Sequence, residues 1–277
     1  MLAGDRISNL ELAEEELEHT KERIVEFIRK NVADAGSEGV VIGLSGGIDS
    51  TLTAYLSVEA LGSGGVYGVV MPSKVNREEN MIDAIQVAKD LEIEHSIIEI
   101  ESIVEEVESS IEKSEMGKEM KNIEERVIGN LRGRVRAIIL YRISNASNLI
   151  VIGTGNRTEA LIGYFTKYGD GAVDCNPIGD LYKCQVRQMA EWVRVPSKYI
   201  TKAPTAGLWE GQTDEKELGM GYDTLDLILY LLVEEGRSEE EIQNLFKIDE
   251  KDILEVQRLY EASEHKRDIP PVPYELS

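Results

Sequence analysis

The sequence predicts an α/β protein in three layers, α/β/α, with a mainly parallel sheet and additional C-terminal helices. Two observations predict this fold. Short apolar runs alternate with longer segments of helical periodicity, which is the pattern of a parallel sheet covered on both faces. Two of the apolar runs end in glycine-rich turns, GLSGG and GTGN. Because ligands bind at the carboxyl ends of parallel strands, both turns are expected at the same edge of the sheet.

The N-terminal half of the chain supplies the predicted sheet. A first helix over residues 9–32 carries apolar side chains at helical spacing, and the first strand, 40–44, follows it. The next helix begins near Asp49 and Ser50. The elements that come after it are strand 66–71, helix 78–91, strand 95–100, helix 102–114, helix 124–145 and strand 149–153. We interpret the polar segment 113–121 as a mobile loop.

The C-terminal half has less regular patterning. Residues 157–177 and 204–221 are predicted to be irregular, and the first of these segments is rich enough in Tyr and Phe to be functional rather than disordered. Further helices are expected at 181–193, 222–235, 239–245 and 250–266. We interpret the chain as one domain, 1–277, with an N-terminal helix in 1–38, an α/β core in 39–200 and a C-terminal loop and helices in 201–277.

A tight loop, Ser45-Gly46-Gly47, joins the first strand to its helix. Glycines let a backbone approach an anion closely, and a helix N-terminus offers unpaired N–H groups. Asp49 would repel a phosphate here unless a divalent cation lay between them. The stretch Val40–Ser50 therefore predicts that the core binds a nucleotide with Mg²⁺, although it lacks the Gly-Lys-Ser/Thr of a Walker loop. The alternative is a glycine-rich turn without a ligand.

The charge of the chain bounds its partners. A formal net charge of −22 disfavours a nucleic acid as partner and fits an acidic surface suited to high salt. No apolar run approaches the length of a membrane span, so no membrane partner is expected. Cys175 and Cys184 form no metal-binding pattern, so we expect a reducing cytoplasm and no structural metal.

A basic island interrupts this acidic composition. Residues 126–142 carry five arginines and no acidic residue, directly after a segment, 92–125, with twelve acidic residues and three lysines. Two explanations remain open, namely pairing of the island with the acidic segment or binding of an anionic ligand.

Several motifs carry a resemblance to known enzymes. SGGIDS resembles the SGGxDS loop of the N-type ATP pyrophosphatases, which have a Rossmann-like fold. GTGNRTE, GYFTKYGDG, PIGDLYKCQVR, PTAGLWEGQTDE, NLRGRVR and the His265-Lys266 pair are similar to motifs of the ammonia-dependent NAD synthetases. This resemblance, over about residues 39–267, implies the last step of NAD biosynthesis. In that step deamido-NAD is amidated by ammonia and ATP through an adenylated carboxylate, which gives NAD, AMP and pyrophosphate.

The resemblance also implies an ATP site and a metal site. The implied ATP residues are Gly43, Leu44, Ser45, Gly46, Gly47, Ile48, Asp49, Ser50, Thr154, Lys183 and Thr205. Asp49 and Glu159 are the implied Mg²⁺ ligands, in keeping with the preference of Mg²⁺ for oxygen. Judged singly, Glu159 could instead complement a helix dipole, Lys183 could be a surface lysine and Thr205 a turn residue.

Deamido-NAD is implied to bind at Arg134, Lys167, Asp174, His265 and Lys266. Asp174 is in addition a candidate base that takes a proton from ammonium, which makes the catalytic set Asp49, Glu159, Asp174 and Lys183. The family is homodimeric, with the dinucleotide at the subunit interface. Because 38 residues precede the first strand, we expect free ammonia, or ammonia from a separate protein, rather than glutamine.

Two other functions remain open at this level. Another adenylating enzyme of the same loop family, such as a GMP synthetase subunit or a tRNA thiolase, would act on a different acid. The acidic surface and the absence of CxxC argue against a thiolase. A regulatory protein that holds ATP without turnover would have little use for a second carboxylate, Glu159.

Overall fold

A parallel sheet lies at the centre of the computed structural model, which describes residues 10–119, 124–205, 207, 209 and 214–273. Within these residues it has four strands, β1 Gly39–Leu44, β2 Val66–Val70, β3 Glu94–Ile97 and β4 Leu149–Ile152. The order is β3-β2-β1-β4, and all pairings are parallel. β1 is therefore central, with β2 and β3 on one side and β4 on the other. The strand order reverses at β1, which is where ligands bind in open α/β sheets.

Helices flank the sheet and extend beyond it. In chain order they are α1 Glu14–Asp34, α2 Ile48–Leu61, α3 Glu78–Asp90, α4 Glu101–Glu112, α5 Glu115–Glu119, α6 Glu125–Ser147, α7 Arg157–Ile162, α8 Lys183–Trp192, α9 Ser197–Ile200, α10 Asp214–Leu218, α11 Tyr222–Leu229, α12 Glu239–Phe246, α13 Glu250–Ala262 and α14 Glu264–Arg267. A π-helical turn, Tyr230–Glu234, continues α11, and a 3-10 turn, Ser63–Gly65, precedes β2.

The alternation of side chains along the strands creates two apolar faces. Val40, Ile42 and Leu44 of β1 pack against α1, α2, α3 and α8, whereas Val41 faces α4 and α6 on the other side. A third apolar cluster joins α7 and the start of α8 to α10, α11, α12 and α13. The three-layer α/β/α arrangement with a parallel sheet and C-terminal helices is thus confirmed.

Several predicted element boundaries are wrong. The first helix begins at Glu14 rather than at residue 9, which lies outside the described residues, and Leu10–Ala13 run non-helically into it. The third strand ends at Ile97 rather than at residue 100, because its partner β2 ends at Val70. Ile98 and Ile100 still donate their backbone N–H groups to the carbonyls of Val70 and Pro72. The helix predicted over 250–266 is divided at Ser263 into α13 and α14.

Three segments predicted as irregular contain short helices. The interval 113–121 holds α5, 157–177 begins with α7, and 204–221 contains α10. Residues 120–123, 206, 208 and 210–213 of these intervals lie outside the described residues. Five or six residues are too few to display helical periodicity, so the pattern could not indicate them. Among the described helices, none has the length and apolar character needed to cross a bilayer.

Candidate active site

The glycine-rich loop lies where β1 ends and α2 begins. Its shape is held by short contacts: Ser45 Oγ lies 3.0 Å from Ser50 Oγ, and the Gly47 N–H donates to Ser45 Oγ at 3.2 Å. Gly46 has a φ of +74°, and a Cβ there would lie 2.4 Å from the carbonyl oxygen of Asn80 in α3. Only glycine fits this position. The loop therefore places the N-terminal turn of α2, whose first N–H groups have no acceptor within the helix, at the edge of the sheet.

A buried lysine joins the carboxylates that flank this loop. Lys183, the first residue of α8, is 1% exposed, and its Nζ lies 2.5 Å from Asp49 Oδ2 and 3.7 Å from Glu159 Oε1. The same ammonium is 5.2 Å from the centre of the Tyr222 ring. Side chains from α2, α7, α8 and α11 thus converge on one charged cluster at the carboxyl edge of β1 and β4.

Local sequence explains how Glu159 reaches this cluster. Asn156 accepts the Glu159 N–H at 3.0 Å, while Glu159 Oε2 accepts the Asn156 N–H at 3.2 Å. This reciprocal capping box begins α7 directly after β4. Asn156 Nδ2 also donates to Asp49 Oδ1 at 2.9 Å. One asparagine therefore orients both carboxylates, and the Asn-x-x-Glu spacing is the sequence signal that could have identified it.

The charges of the cluster perturb one another. Burial, followed by the charge of Asp49, raises the pKa of Glu159 to about 8. Burial alone would lower the pKa of the Lys183 ammonium, but the charges of Asp49 and Glu159 outweigh it and raise that pKa. Lys183 is therefore held as a cation between two carboxyl groups.

The donor set fits a partly hydrated hard cation. The carboxyl groups of Asp49 and Glu159 face the same ammonium, that of Lys183. No three or more His, Cys, Asp or Glu side chains of the described residues are grouped so that they could hold a metal, so a cation here would have two protein ligands. Two carboxylates, with the remaining positions left to water and phosphate oxygen, are the surroundings that Mg²⁺ prefers.

The two predicted threonines lie at the same edge of the sheet. Thr154 follows the end of β4 by two residues. Thr205 Oγ1 accepts the Gly207 N–H at 3.1 Å, and the Gly207 carbonyl accepts from Asn76 Nδ2, just beyond the end of β2. Gly207, two residues after Thr205, therefore contacts the loop that follows β2.

Four of the five residues expected to bind the dinucleotide form a second cluster. Arg134 Nη2 donates to the Lys167 carbonyl at 3.3 Å, and Lys167 Nζ donates to the His265 carbonyl. Lys266 Nζ donates to the carbonyls of Gly163 and Phe165 at 2.6 and 2.7 Å. The Lys266 ammonium is thus engaged in fixing the chain after α7, whereas Arg134 is exposed.

Asp174 lies apart from both clusters. Its Oδ2 accepts the Val151 N–H of β4 at 2.7 Å, and its Oδ1 accepts from the Tyr141 hydroxyl at 3.0 Å. Val151 pairs with Val41, three residues before Leu44 ends β1. At about 3.3 Å per residue, the Asp174 carboxylate lies roughly 10 Å back along the sheet from the loop. Asp174 lines a separate cavity of about 450 Å³ with Tyr141, Asn145 and Asn148.

The basic island pairs with the acidic segment through Arg132, while its role in binding an anionic ligand stays a prediction for Arg134. Arg132 is 4% exposed and donates to both carboxylate oxygens of Glu101, at 2.9 and 3.2 Å. Arg136 donates to the Met71 carbonyl at 3.2 Å and to Asn76 Oδ1 at 3.1 Å. Arg134 is exposed beside Lys167 and can meet a ligand.

The comparisons with known proteins identify the family. A family model described as NAD synthase matches residues 20–270. The chain belongs to the NAD synthase family. It is 47% identical over 275 residues to the NH(3)-dependent NAD(+) synthetase of Halobacterium salinarum (strain ATCC 29341 / DSM 671 / R1), an alignment that covers 99% of this chain and 100% of that protein.

Two solved structures bear out the fold of this NAD synthase family member. NMN synthetase from Francisella tularensis has a TM-score of 0.81 and 32% identity, and the match covers 95% of this chain and 99% of that one. NH3-dependent NAD synthetase from Campylobacter jejuni, solved with a nitrate ion, has a TM-score of 0.76 and 31% identity, with 93% and 99% covered. The family expected from the sequence motifs is confirmed.

Proposed function

We propose that this chain catalyses the ATP-dependent amidation of deamido-NAD by ammonia, which gives NAD, AMP and pyrophosphate. The observation that carries the proposal is the Asp49–Lys183–Glu159 cluster beside the glycine-rich loop. A loop that only held a nucleotide would not need two carboxylates and a buried cation on one spot.

The first half of the reaction uses the glycine-rich loop and the Asp49–Lys183–Glu159 cluster beside it. The loop and the N-terminus of α2 bind the β- and γ-phosphates, with Thr154 and Thr205 at the same edge. A carboxylate oxygen of the substrate attacks the α-phosphorus, the bond to the bridging oxygen breaks, and pyrophosphate leaves. Lys183, held as a cation, offsets the negative charge that develops on this leaving group. Bound at Asp49 and Glu159, Mg²⁺ would supply further charge neutralisation.

The second half of the reaction makes the amide. Ammonia attacks the acyl carbon of the adenylate, AMP leaves, and one proton is released. We assign Asp174 to substrate binding rather than to proton transfer. Its partner Val151 pairs with Val41, three residues before the end of β1, so at about 3.3 Å per residue Asp174 lies roughly 10 Å from the loop.

The dinucleotide is proposed to lie along one face of α6. Arg134 and Tyr141 are seven residues apart, which places them on the same side of the helix and about 10 Å apart. Arg134 belongs to the second cluster, and the Tyr141 hydroxyl donates to Asp174, which lines the cavity of about 450 Å³. Val127 and Ile138 are 51% and 68% exposed on this same side. We propose that a second copy of the chain covers this face, so that the enzyme is a homodimer with the dinucleotide at its interface.

The cellular setting follows from the chemistry proposed. ATP and ammonia are substrates found inside cells, and Cys175 and Cys184 are buried free thiols. We propose a cytoplasmic location, with ammonia taken up free or passed on by a separate protein.

A second substrate is favoured by one comparison. The Francisella tularensis protein with the TM-score of 0.81 is described as an NMN synthetase, which points to a mononucleotide acid in place of the dinucleotide. The 47% identity to an NAD synthetase and the Asp174 cavity at the far end of the α6 face favour the dinucleotide.

Product analysis tests the proposal. The protein is mixed with ATP, Mg²⁺ and ammonium, and either deamido-NAD or deamido-NMN, at moderate and at high salt, and the nucleotides are separated by chromatography. We expect equal amounts of NAD and AMP that depend on deamido-NAD. Formation of NMN at a higher kcat/KM would support the mononucleotide, whereas AMP without either product would support a different acid acceptor.

A matched pair of variants assigns the activity to the cluster. Asp49→Asn should abolish AMP release, whereas Asp34→Asn removes a carboxylate of an exposed ion pair with Lys30 and should leave it unchanged. Equal activity in the two variants would contradict the assignment of the site.

A further inference from the structure

Asp226 is a buried carboxylate next to the active-site cluster, and no role was predicted for it from the sequence. Asp226 of α11 is fully buried. Its Oδ1 accepts the hydroxyl of Thr158 at 2.6 Å, and its Oδ2 accepts the backbone N–H of Cys184 at 2.8 Å. Asp226 therefore contacts α7 and α8, the two helices that carry Glu159 and Lys183.

Thr158 completes this connection. Its Oγ1 accepts the backbone N–H of Lys183 at 2.9 Å while its own proton goes to Asp226. The first two N–H groups of α8 are thus satisfied by side chains from other helices, and Tyr182, its N-cap residue, contributes no side-chain capping bond. Asp226 and Thr158 together act as the N-terminal cap of α8, and a carboxylate is favoured at that end of a helix dipole.

The two bonds fix the spacing of reacting groups. Thr158 immediately precedes Glu159, and Cys184 immediately follows Lys183. A shift of α8 against α7 would change the 3.7 Å separation between Lys183 Nζ and Glu159 Oε1, and with it the 2.5 Å contact to Asp49. Displacements of about 1 Å in such sites can cost on the order of a hundredfold in rate.

We propose that Asp226 and Thr158 are positioning residues for the adenylation step: they lock the N-terminal turns of α7 and α8 together, so that Lys183 and Glu159 meet Asp49 in reactive geometry. The inference rests on the proposed function for its kinetic readout. Its structural part, the placement of Glu159 and Lys183, has a readout of its own in the binding of a metal–nucleotide complex.

The chain offers a matched set of variants. Thr158→Val removes the hydroxyl at nearly constant volume, and Thr158→Ser keeps it. Thr53→Val makes the same chemical change at another fully buried threonine, whose hydroxyl has no hydrogen-bond partner among the described residues. Asp226→Asn keeps the shape of the carboxyl group but sets an NH₂ group where an acceptor is required. Because Asp226→Asn could fold poorly, the Thr158 pair carries the test, and thermal unfolding of each variant reports the folded fraction.

The kinetic readout separates positioning from stability. We expect Thr158→Val to lower the kcat of NAD formation, per folded molecule, roughly ten- to hundredfold with a smaller change in the KM for ATP. Thr158→Ser should recover most of that loss, and Thr53→Val should behave like the parent protein. Equal kcat values in Thr158→Val and Thr158→Ser, or an equal loss in Thr53→Val, would overturn the proposal.

The binding readout needs no turnover. Mn²⁺ with α,β-methylene-ATP is titrated into each protein and followed by electron paramagnetic resonance. We expect weaker Mn²⁺ binding in Thr158→Val, restored in Thr158→Ser, because Glu159 is displaced in the first variant. Unchanged Mn²⁺ affinity in Thr158→Val would overturn the positioning role. Absence of NAD formation by the parent protein, with Mn²⁺ bound, would instead count against the proposed function.

Discussion

At the scale of single residues, the proposed chemistry depends on Lys183, a lysine that almost no solvent reaches. A buried ammonium is costly unless it is paired, and Lys183 is paired with Asp49 and faces Glu159. The same pairing raises the pKa of Lys183, so the cation persists over the whole range in which the enzyme could act. Removal of this one charge leaves two carboxyl groups facing each other.

Lys183→Met tests the importance of that charge. We expect a loss in kcat of at least about a hundredfold, because one preorganised charge of this kind contributes roughly 2.7–4 kcal/mol to transition-state stabilisation. We also expect a lower Tm that Mg²⁺ partly restores, since a cation between Asp49 and Glu159 relieves their repulsion. Steady-state kinetics and thermal unfolding with and without Mg²⁺ measure both effects. Lys30→Met, at an exposed ion pair, is the control, and wild-type activity in Lys183→Met would contradict the assignment.

Another buried ion pair makes stability depend on pH. Burial by itself raises the pKa of Glu101, but hydrogen bonds and charges from Arg132 and Lys74 outweigh it and lower that pKa to about 2. The pKa of the folded state is below the ordinary value of 4.5, so the pair stabilises fully above about pH 4.5 and this contribution is lost as the pH falls toward 2.

Glu101→Gln should therefore flatten the acid limb of the stability curve. At pH 7 we expect the variant to lose about 3 kcal/mol of unfolding free energy, because Arg132 remains buried without its carboxylate. The difference from the parent protein should shrink as the pH falls from 5 toward 2. Urea unfolding at several pH values measures it, with Glu105→Gln, an exposed partner of Lys74, as the control. A difference that does not change with pH would contradict the assignment.

At the scale of elements, the sequence predicted what is long or strongly bounded. β1, β2 and β4 are apolar runs that end near glycine or proline, and their positions were predicted to within one or two residues. β3 was extended too far because HSIIEI stays apolar past Val70, where its partner strand β2 ends. α7 was missed because six residues cannot show a period, although Asn156 and Glu159 have the spacing of a capping box.

The exposed side of α6 is proposed to form the dimer interface, and this role can be tested directly. Ile138 is 68% exposed on the same side as Arg134. We expect Ile138→Asp to convert the proposed dimer to monomers and to raise the KM for deamido-NAD more than that for ATP. Light scattering coupled to size exclusion measures the mass, and Ile82→Asp, at an exposed site on α3, is the control. A parent protein that runs as a monomer would rule out the dimer.

At the scale of the whole molecule, one part of the candidate site follows from the rule that ligands bind at the carboxyl ends of parallel strands, and the rest does not. Because the carboxyl ends of parallel strands share one edge, Asp49 and Thr154 were expected together there. The structure places them at that edge, just after the neighbouring strands β1 and β4. Lys183 is 134 residues from Asp49 in the chain, so no local pattern connects them. The distance of Asp174 from the glycine-rich loop depends on the register in which Cys175 pairs with Ile152 of β4. The sequence does not specify that register.

The net charge of −22 should make the fold sensitive to salt. At low ionic strength the acidic surface repels itself, and salt shortens the range of that repulsion from about 30 Å at 0.01 M to about 3 Å at 1 M. We expect the Tm to rise as KCl is increased over this range. Differential scanning calorimetry measures it. A Tm that falls steadily with KCl would contradict the expectation.

The position of β1 at the centre of the sheet also determines when the fold can be completed. One side of β1 pairs with β2 soon after it in the chain, but the other side waits for β4, which follows about 100 residues later. At a synthesis rate of about 5–20 residues per second, a nascent chain exposes that unpaired strand edge for roughly 5–20 s. Docking of β4, carried in behind α6, is therefore expected to limit the rate of folding. The proposed nucleotide site uses residues at the ends of both strands, so we expect it to form only when that late step is complete.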